Sequence, residues 1–318
     1  MRVWTVSEVK AGTLTQCLGV ARHFDPSPHQ IIVGKALPRW KYLTYRLPGR
    51  LPGDAPDMIV SCGGKAQSHV MAMCAALKRK PVTVHLAGPG PEFVPKFDMA
   101  FVSRHDWSDA AERAPNLEPM TGVPHQITTA EIASLRPAAR ARWLDGHGRA
   151  VTVLIGGQNR AYLYDPATVD GLIETIRDLA DRDWTVLVST SRRSDPTILT
   201  RLLELESRRI KVWDRKGENP YRDFLAAADA LLVTKDSITM ACEALATGMP
   251  TYVIDLLHNP CPRLTKFERF HHDMSETLQL TRPWAGEIAE YTYEPLAEAA
   301  RIAKRIEDRF GLAAIVSP

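Results

Sequence analysis

Nothing in the chain marks a disulfide framework or a zinc site. Its five cysteines, Cys17, Cys62, Cys74, Cys242 and Cys261, are odd in number and never spaced as CxxC. No apolar run reaches the length of a membrane span, and no basic-then-apolar leader opens at Met1-Arg2-Val3-Trp4, so the expected location is the cytoplasm. A GxGxxG after a strand is also missing, as is a Tyr-x-x-x-Lys pair. Hydride chemistry on a dinucleotide, the route of short-chain sugar-nucleotide epimerases, therefore has no signature here. Forty basic residues against 37 acidic ones give a net charge of +3, too mild to imply nucleic acid, and no nucleic-acid partner is expected.

What is present is 318 residues with 45% hydrophobic and 24% charged content, enough for two soluble domains that each bury a core. Short apolar strands alternate with helical stretches throughout. That pattern predicts an α/β chain of two Rossmann-like domains with mostly parallel sheets facing across a cleft. The expected divisions are residues 1–147, 148–293 and a terminal amphipathic helix, 294–318, that packs back on the first domain. The turn at Asp145-Gly146-His147-Gly148 marks the first boundary.

The first domain opens with a strand at residues 2–6, a turn carrying Lys10 and Gly12, and a helix holding Gln16. Gly12 either lets the backbone approach a ligand, with Lys10 and Gln16 beside it, or makes an ordinary turn. Residues 35–50, KALPRWKYLTYRLPGR, run from Lys35 to Arg50 with five basic side chains, no acid, and Trp40, Tyr42 and Tyr45 interleaved. This composition suits an anionic membrane surface, a single-stranded nucleic-acid patch, or a basic loop against the domain. His105 and Asp106 follow a strand, where α/β enzymes place working groups, or else form a surface turn. A helix at 128–143 is expected to expose Arg136, Arg140 and Arg142.

The second domain carries the stronger signals. The strand at 151–155 runs into Gly156-Gly157, followed by Asn159 and Arg160, and the strand at 184–188 runs into Ser189, Ser191, Arg192 and Arg193. A turn with Asn219 follows, and then LLVTKDSITMACEALATGMPTYVIDL reads as strand, turn, helix, strand. Asp236 or Ser237 caps that helix, Gly248 and Pro250 stop it, and its free N–H groups suit a diphosphate. Glu243 in its second turn suits a ribose, with Lys235, Ile238 and Met240 alongside. These turns share the carboxyl edge of one sheet, so a ligand cleft is expected there. Residues 262–272, rich in Arg, Lys and His, read as a basic mobile loop, and no metal site is expected.

Several stretches together resemble the mitochondrial fission "elongated mitochondria" family and its bacterial relatives over nearly the whole chain. They are Lys10-Ala11-Gly12 with Gln16, PDMIVSCGG, SRHDW, TGVPHQIT, LIGGQNR, VSTSRR, GENPYRDFLAAADALLVTKDS and MACEALATGMP. The layout also resembles GT-B glycosyltransferases, with the second half similar to the bacterial peptidoglycan N-acetylglucosaminyltransferase. That resemblance implies a nucleoside-diphosphate sugar as donor, no tightly bound cofactor and no metal. It further implies that Glu243 holds the ribose, and that the Ser237 and Ile238 N–H groups hold the diphosphate. Sugar transfer to an unknown acceptor is the expected activity, with His105 or Asp106 as base and Lys10 for orientation. A noncatalytic adaptor, peripheral on the membrane through residues 35–50, is the alternative.

Overall fold

In a computed structural model, residues 1–47, 51, 53–107, 114–144 and 148–315 are described; Pro48, Gly49 and Arg50 of the basic-aromatic stretch and the turn residues Asp145, Gly146 and His147 lie outside them. The chain forms two compact units. One is Met1–Gln126 with Ala297–Pro318, the other Ile127–Leu296.

The first unit holds strands β1 (Val3–Glu8), β2 (His29–Val33), β3 (Met58–Cys62), β4 (Val82–Leu86), β5 (Met99–Ser103) and β6 (Leu117–Met120). They make one parallel sheet in the order β2-β1-β3-β4-β5-β6. Both faces are covered, which is why the strands read as continuous apolar runs. Val3, Met58, Val60, Val84 and Phe101 pack with the helices Ala11–Ala21 and Glu298–Phe310. Trp4, Val6 and Ile59 pack on the opposite face with Val70 and Met73 of the helix Gly64–Ala76. The terminal helix, which starts at Glu298 rather than 294, is tied to β6 through a buried carboxylate. Glu298 Oε1 accepts from the Thr121 N–H at 2.9 Å and from Arg301, whose guanidinium also reaches the Pro119 carbonyl.

The second unit repeats the plan with β7 (Arg149–Ile155), β9 (Trp184–Thr190), β10 (Ile210–Val212), β11 (Ala230–Thr234), β12 (Thr251–Ile254) and β14 (Arg282–Pro283). All are parallel, in the order β10-β9-β7-β11-β12-β14. A short antiparallel ribbon of β8 (Tyr162–Leu163) and β13 (Leu257–His258) stands apart from this sheet. Val151, Val153 and Ile155 pack against Val169, Leu172, Ile173 and Ile176 of the helix Pro166–Asp181. That helix begins where the sequence supplies both a cap and a first-turn proline: Asp165 accepts from the Thr168 N–H at 2.9 Å and Pro166 follows.

Two differences from the sequence reading have physical causes. The helix Thr129–Trp143 belongs to the second unit, not to the end of the first, because Arg136 and Arg140 are half-buried and grip Asp229 and the carbonyls of residues 226–228. Charge on a helix signals solvent only when no acceptor waits beneath it. Residues 262–272 form a helix, Pro262–His272, because Phe267, Phe270 and His271 are buried along it.

Candidate functional site

In each sheet the chain reverses its direction of winding next to the first strand. The crevice outside the carboxyl ends at such a point is where open α/β sheets bind ligands. In the second unit that point lies between β7 and β11, and three of the expected stretches lie there or beside it.

Asp236 is the hinge pin of this edge. It is 1% exposed; its Oδ1 accepts from Thr234 Oγ1 at 2.7 Å and from the Tyr164 hydroxyl at 3.0 Å, and its Oδ2 is buried without a hydrogen-bond partner. The Gly156 N–H donates to Thr234 Oγ1 at 2.8 Å, so the first residue after β7 is laced to the end of β11. Glycine is required at both positions of the pair. A Cβ on Gly156 would stand 2.3 Å from Asp236 Oδ1, and one on Gly157 would stand 2.4 Å from the Arg193 backbone. Both glycines are buried, and what they admit is the chain's own neighbours.

Ser237 caps the helix Ile238–Leu245 by accepting from the Met240 N–H at 3.3 Å. The N–H groups of Ile238 and Thr239 open the helix and have no acceptor within it. Glu243 sits one turn further in, where the Tyr221 hydroxyl donates to its Oε2 at 2.7 Å. Burial raises the Glu243 carboxyl to about 7, against the opposing pull of Tyr221 and Arg222. Burial likewise raises Asp236 to about 6, with Thr234, Tyr164 and Arg193 working the other way.

The third stretch is the loop 190–194. Arg192 and Arg193 extend into solvent, with no ion pair among the described residues. Ser189 is buried in β9, and Ser191 spends its hydroxyl on Ser194 and on the Arg193 N–H. Arg215, which the sequence did not single out, clamps this loop: its guanidinium reaches Thr190 Oγ1 and the carbonyls of Ser191 and Ser194.

Other expected residues are engaged elsewhere. The Asn159 side chain is consumed by backbone, donating to the Asp236 carbonyl and accepting from the Ala161 and Tyr162 N–H groups. Arg160 is exposed, and its carbonyl holds Asn259. Asn219 is exposed and accepts from the Tyr221 N–H at the head of the helix Tyr221–Ala227. Lys235 is 15% exposed and lies between Asp255 at 3.4 Å and Glu268 at 3.0 Å, so it is not an unpaired cation for a phosphate.

In the first unit the reversal lies between β1 and β3. There β1 runs two residues further than expected and ends in Glu8, whose Oε1 accepts from the Lys65 N–H while Oε2 stands 2.8 Å from Lys10 Nζ. Burial pushes this carboxyl up, yet Lys10 and Lys65 together hold it below its ordinary value. Gly63, at φ +95°, is pressed against Glu8. Gly12 lies inside the helix Ala11–Ala21, and Gln16 is buried, accepting from the Cys62 thiol. His105 and Asp106 occupy the turn after β5, three strands from β1 and therefore about 14 Å from Lys10's strand end. Lys10 and this pair are not neighbours. Among the described residues no group of His, Cys, Asp and Glu could hold a metal ion.

The family model for mitochondrial fission ELM1 matches residues 11–310. The chain belongs to the mitochondrial fission ELM1 family. It is 27% identical over 282 residues to the mitochondrial fission protein ELM1 of Arabidopsis thaliana, covering 80% of this chain and only 64% of the plant protein. Against the uncharacterized protein RP120 of Rickettsia prowazekii it is 22% identical, covering 96% of this chain and 98% of that one. Among solved structures it resembles the UDP-GlcNAc 2-epimerase of Methanocaldococcus jannaschii in complex with UDP-GlcNAc and UDP. The TM-score is 0.52 at 13% identity, over 97% of this chain and all of that one. The Neisseria meningitidis UDP-GlcNAc 2-epimerase bound to UDP-GlcNAc gives 0.52 at 12% identity, over 97% and 99%. These likenesses show the fold: this ELM1-family chain is a GT-B-like protein of two Rossmann-like units. Among the described residues of this family member, no helix is long and apolar enough to cross a membrane.

The two raised carboxyls set a pH dependence. A group whose folded value lies above its unfolded one stabilises the fold below the unfolded value, and that contribution is lost as pH rises through the folded value. For Asp236 the loss runs from about pH 4 to beyond about pH 6. Asp236→Asn, which cannot ionise, is expected to gain about 2 kcal/mol on wild type between pH 4.5 and pH 8. Urea unfolding of both proteins across that range measures the difference, and a constant offset contradicts the burial argument.

Proposed function

We propose that the second unit binds a nucleoside-diphosphate sugar at the carboxyl ends of β7, β9 and β11, and that the protein transfers the sugar to an acceptor. One observation carries this reading: the helix start at Ile238 and the Gly156-Gly157 turn flank the strand-order reversal between β7 and β11, and the loop after β9, one strand over, carries Arg192 and Arg193, which form no ion pair among the described residues. The helix dipole and Arg192 or Arg193 would neutralise the departing diphosphate without a metal. Glu243, with one oxygen committed to Tyr221, would offer the other to the ribose hydroxyls. The GT-B neighbours named above bind UDP-GlcNAc, which agrees with this class of ligand. Lys10, His105 and Asp106, on the first unit's strand ends, are the acceptor-side residues of the reading.

Release of nucleoside diphosphate from UDP-, GDP- and ADP-sugars, assayed with and without lipid or sugar acceptors, tests the transfer. Release that depends on both donor and acceptor supports it. Silence with every donor, despite binding, would remove the catalytic half and leave the binding half.

A specific observation also favours membrane contact. The short helix Arg39–Arg46 and its flank expose Leu43 (62%) and Leu47 (55%) beside basic residues, while Tyr45 turns inward to His69. The side chains of Arg39, Trp40 and Tyr42 lie outside the described residues. In this second reading the exposed leucines and cations meet an anionic bilayer. Sedimentation with vesicles containing phosphatidylglycerol is expected to pull down wild type and to lose Leu43→Asp/Leu47→Asp; equal sedimentation of both discards this surface.

A further inference from the structure

A cavity of about 330 Å³ lies against β12 and β14 at the carboxyl end of β11, one strand over from the β7–β11 reversal, and its lining has more hydrogen-bond acceptors than donors. It is covered by the helix Pro262–His272 and the turn Asp273–Thr277. Its floor is apolar, from Val253 and Pro283, and its walls carry Asp255, Glu268, Glu276 and Lys235. Lys235 is shared by Asp255 and Glu268, at 3.4 and 3.0 Å, and His258 Nε2 and the Tyr162 hydroxyl also engage that pair, whereas Glu276 accepts from the Ser275 hydroxyl and has no cation partner among the described residues.

Two buried polar atoms on the lining lack partners. The His271 Nε2 is 2.7 Å from the Lys235 carbonyl, which can only accept, so Nε2 carries the proton. Burial keeps this ring neutral, holding it down to about 4. Its Nδ1 is therefore a bare acceptor, buried without a hydrogen-bond partner, and Thr281 Oγ1 is in the same condition. Both residues are more than nine-tenths buried, at 6% and 3% exposure. Leaving a buried polar atom unsatisfied costs about 1–3 kcal/mol, so two on one cavity wall point to an occupant that satisfies them.

We propose that this cavity is a second ligand site, taking a monosaccharide-sized polyol that bears a primary ammonium group. The volume lies at the low end for ligand pockets, which limits the occupant to about one sugar ring. An ammonium answers Glu276, the wall carboxylate with no cation partner among the described residues. Hydroxyl groups answer Nδ1 of His271 and the hydroxyl of Thr281, and the apolar floor meets a ring face. The site stands whether or not a nucleotide sugar binds at β7 and β11.

The test is calorimetric titration of the full chain with D-glucosamine, D-glucose and 1,4-diaminobutane. Saturable glucosamine binding, at least tenfold tighter than either of the others, is expected. Thr281→Val should weaken it at least fivefold while raising thermal stability, since the orphaned hydroxyl is gone. Glu276→Gln, at an exposed rim position that cannot disturb folding, should weaken glucosamine and leave glucose unchanged. No saturable binding, meaning ordered water only, overturns the proposal. So does equal affinity for diamine and glucosamine, or a Thr281→Val protein that binds as wild type does.

Discussion

Replacing Gly156 by alanine is expected to destabilise the chain by about 3 kcal/mol and to abolish any ligand binding at the β7 edge. The methyl group would stand 2.3 Å from Asp236 Oδ1, and neither partner can retreat. The glycine N–H is held by Thr234, and the carboxylate is held by Thr234 and Tyr164. Something must tear, and the candidates are the hydrogen bonds that join β7 to β11. Urea denaturation measures the loss. The diagnostic experiment is Gly156→Ala combined with Asp236→Ala, which vacates the space the methyl needs. The double variant is expected to be more stable than Gly156→Ala alone, a coupling that independent sites would not show. If the two changes simply add, the clash is not what position 156 guards against.

The second large effect concerns ligand rather than fold. Glu243→Ala is expected to weaken nucleoside-diphosphate binding about 10- to 100-fold, the worth of one or two hydrogen bonds to a charged group. The comparison that gives this meaning is Tyr221→Phe. The Tyr221 hydroxyl donates to Oε2 of Glu243 and to no other acceptor among the described residues, so its loss leaves the other oxygen in place. Under the ribose assignment the Tyr221 variant binds within a few-fold of wild type. Equal and large losses in both would mean that Glu243 acts only by holding the helix Tyr221–Ala227 to the helix Ile238–Leu245. Competition titrations with one fluorescent nucleoside diphosphate report both variants on the same scale.

Much of this was legible in the sequence, for reasons that can be named. The parallel strands are buried on both faces, so VTVLI and ALLV announce themselves as continuous apolar runs. Gly156-Gly157 and the Ser237 cap are local signals, and local signals survive folding. What escaped depends on distant partners. Tyr164 looks like any residue after a strand until the β8–β13 ribbon carries its hydroxyl to Asp236. Arg215 sits in a left-handed turn at φ +65°, a conformation that names no partner. Lys235 and Asn159 read as free polar groups beside a ligand, yet each is consumed by the protein. Arg136 and Arg140 read as solvated charge because Asp229 lies some 90 residues away along the chain. Charged and amide side chains near a turn state a capacity; only the fold says whether the protein itself uses it.

The central claim is that a nucleoside diphosphate sits at the carboxyl ends of β7, β9 and β11. Backbone hydrogen–deuterium exchange of the full chain, with and without saturating UDP-sugar, GDP-sugar or ADP-sugar, tests it most directly. For at least one of these the account predicts slowed exchange confined in the second unit to residues 156–160, 190–194 and 234–243. Unchanged exchange in all three segments with every nucleotide, or protection elsewhere alone, would contradict it.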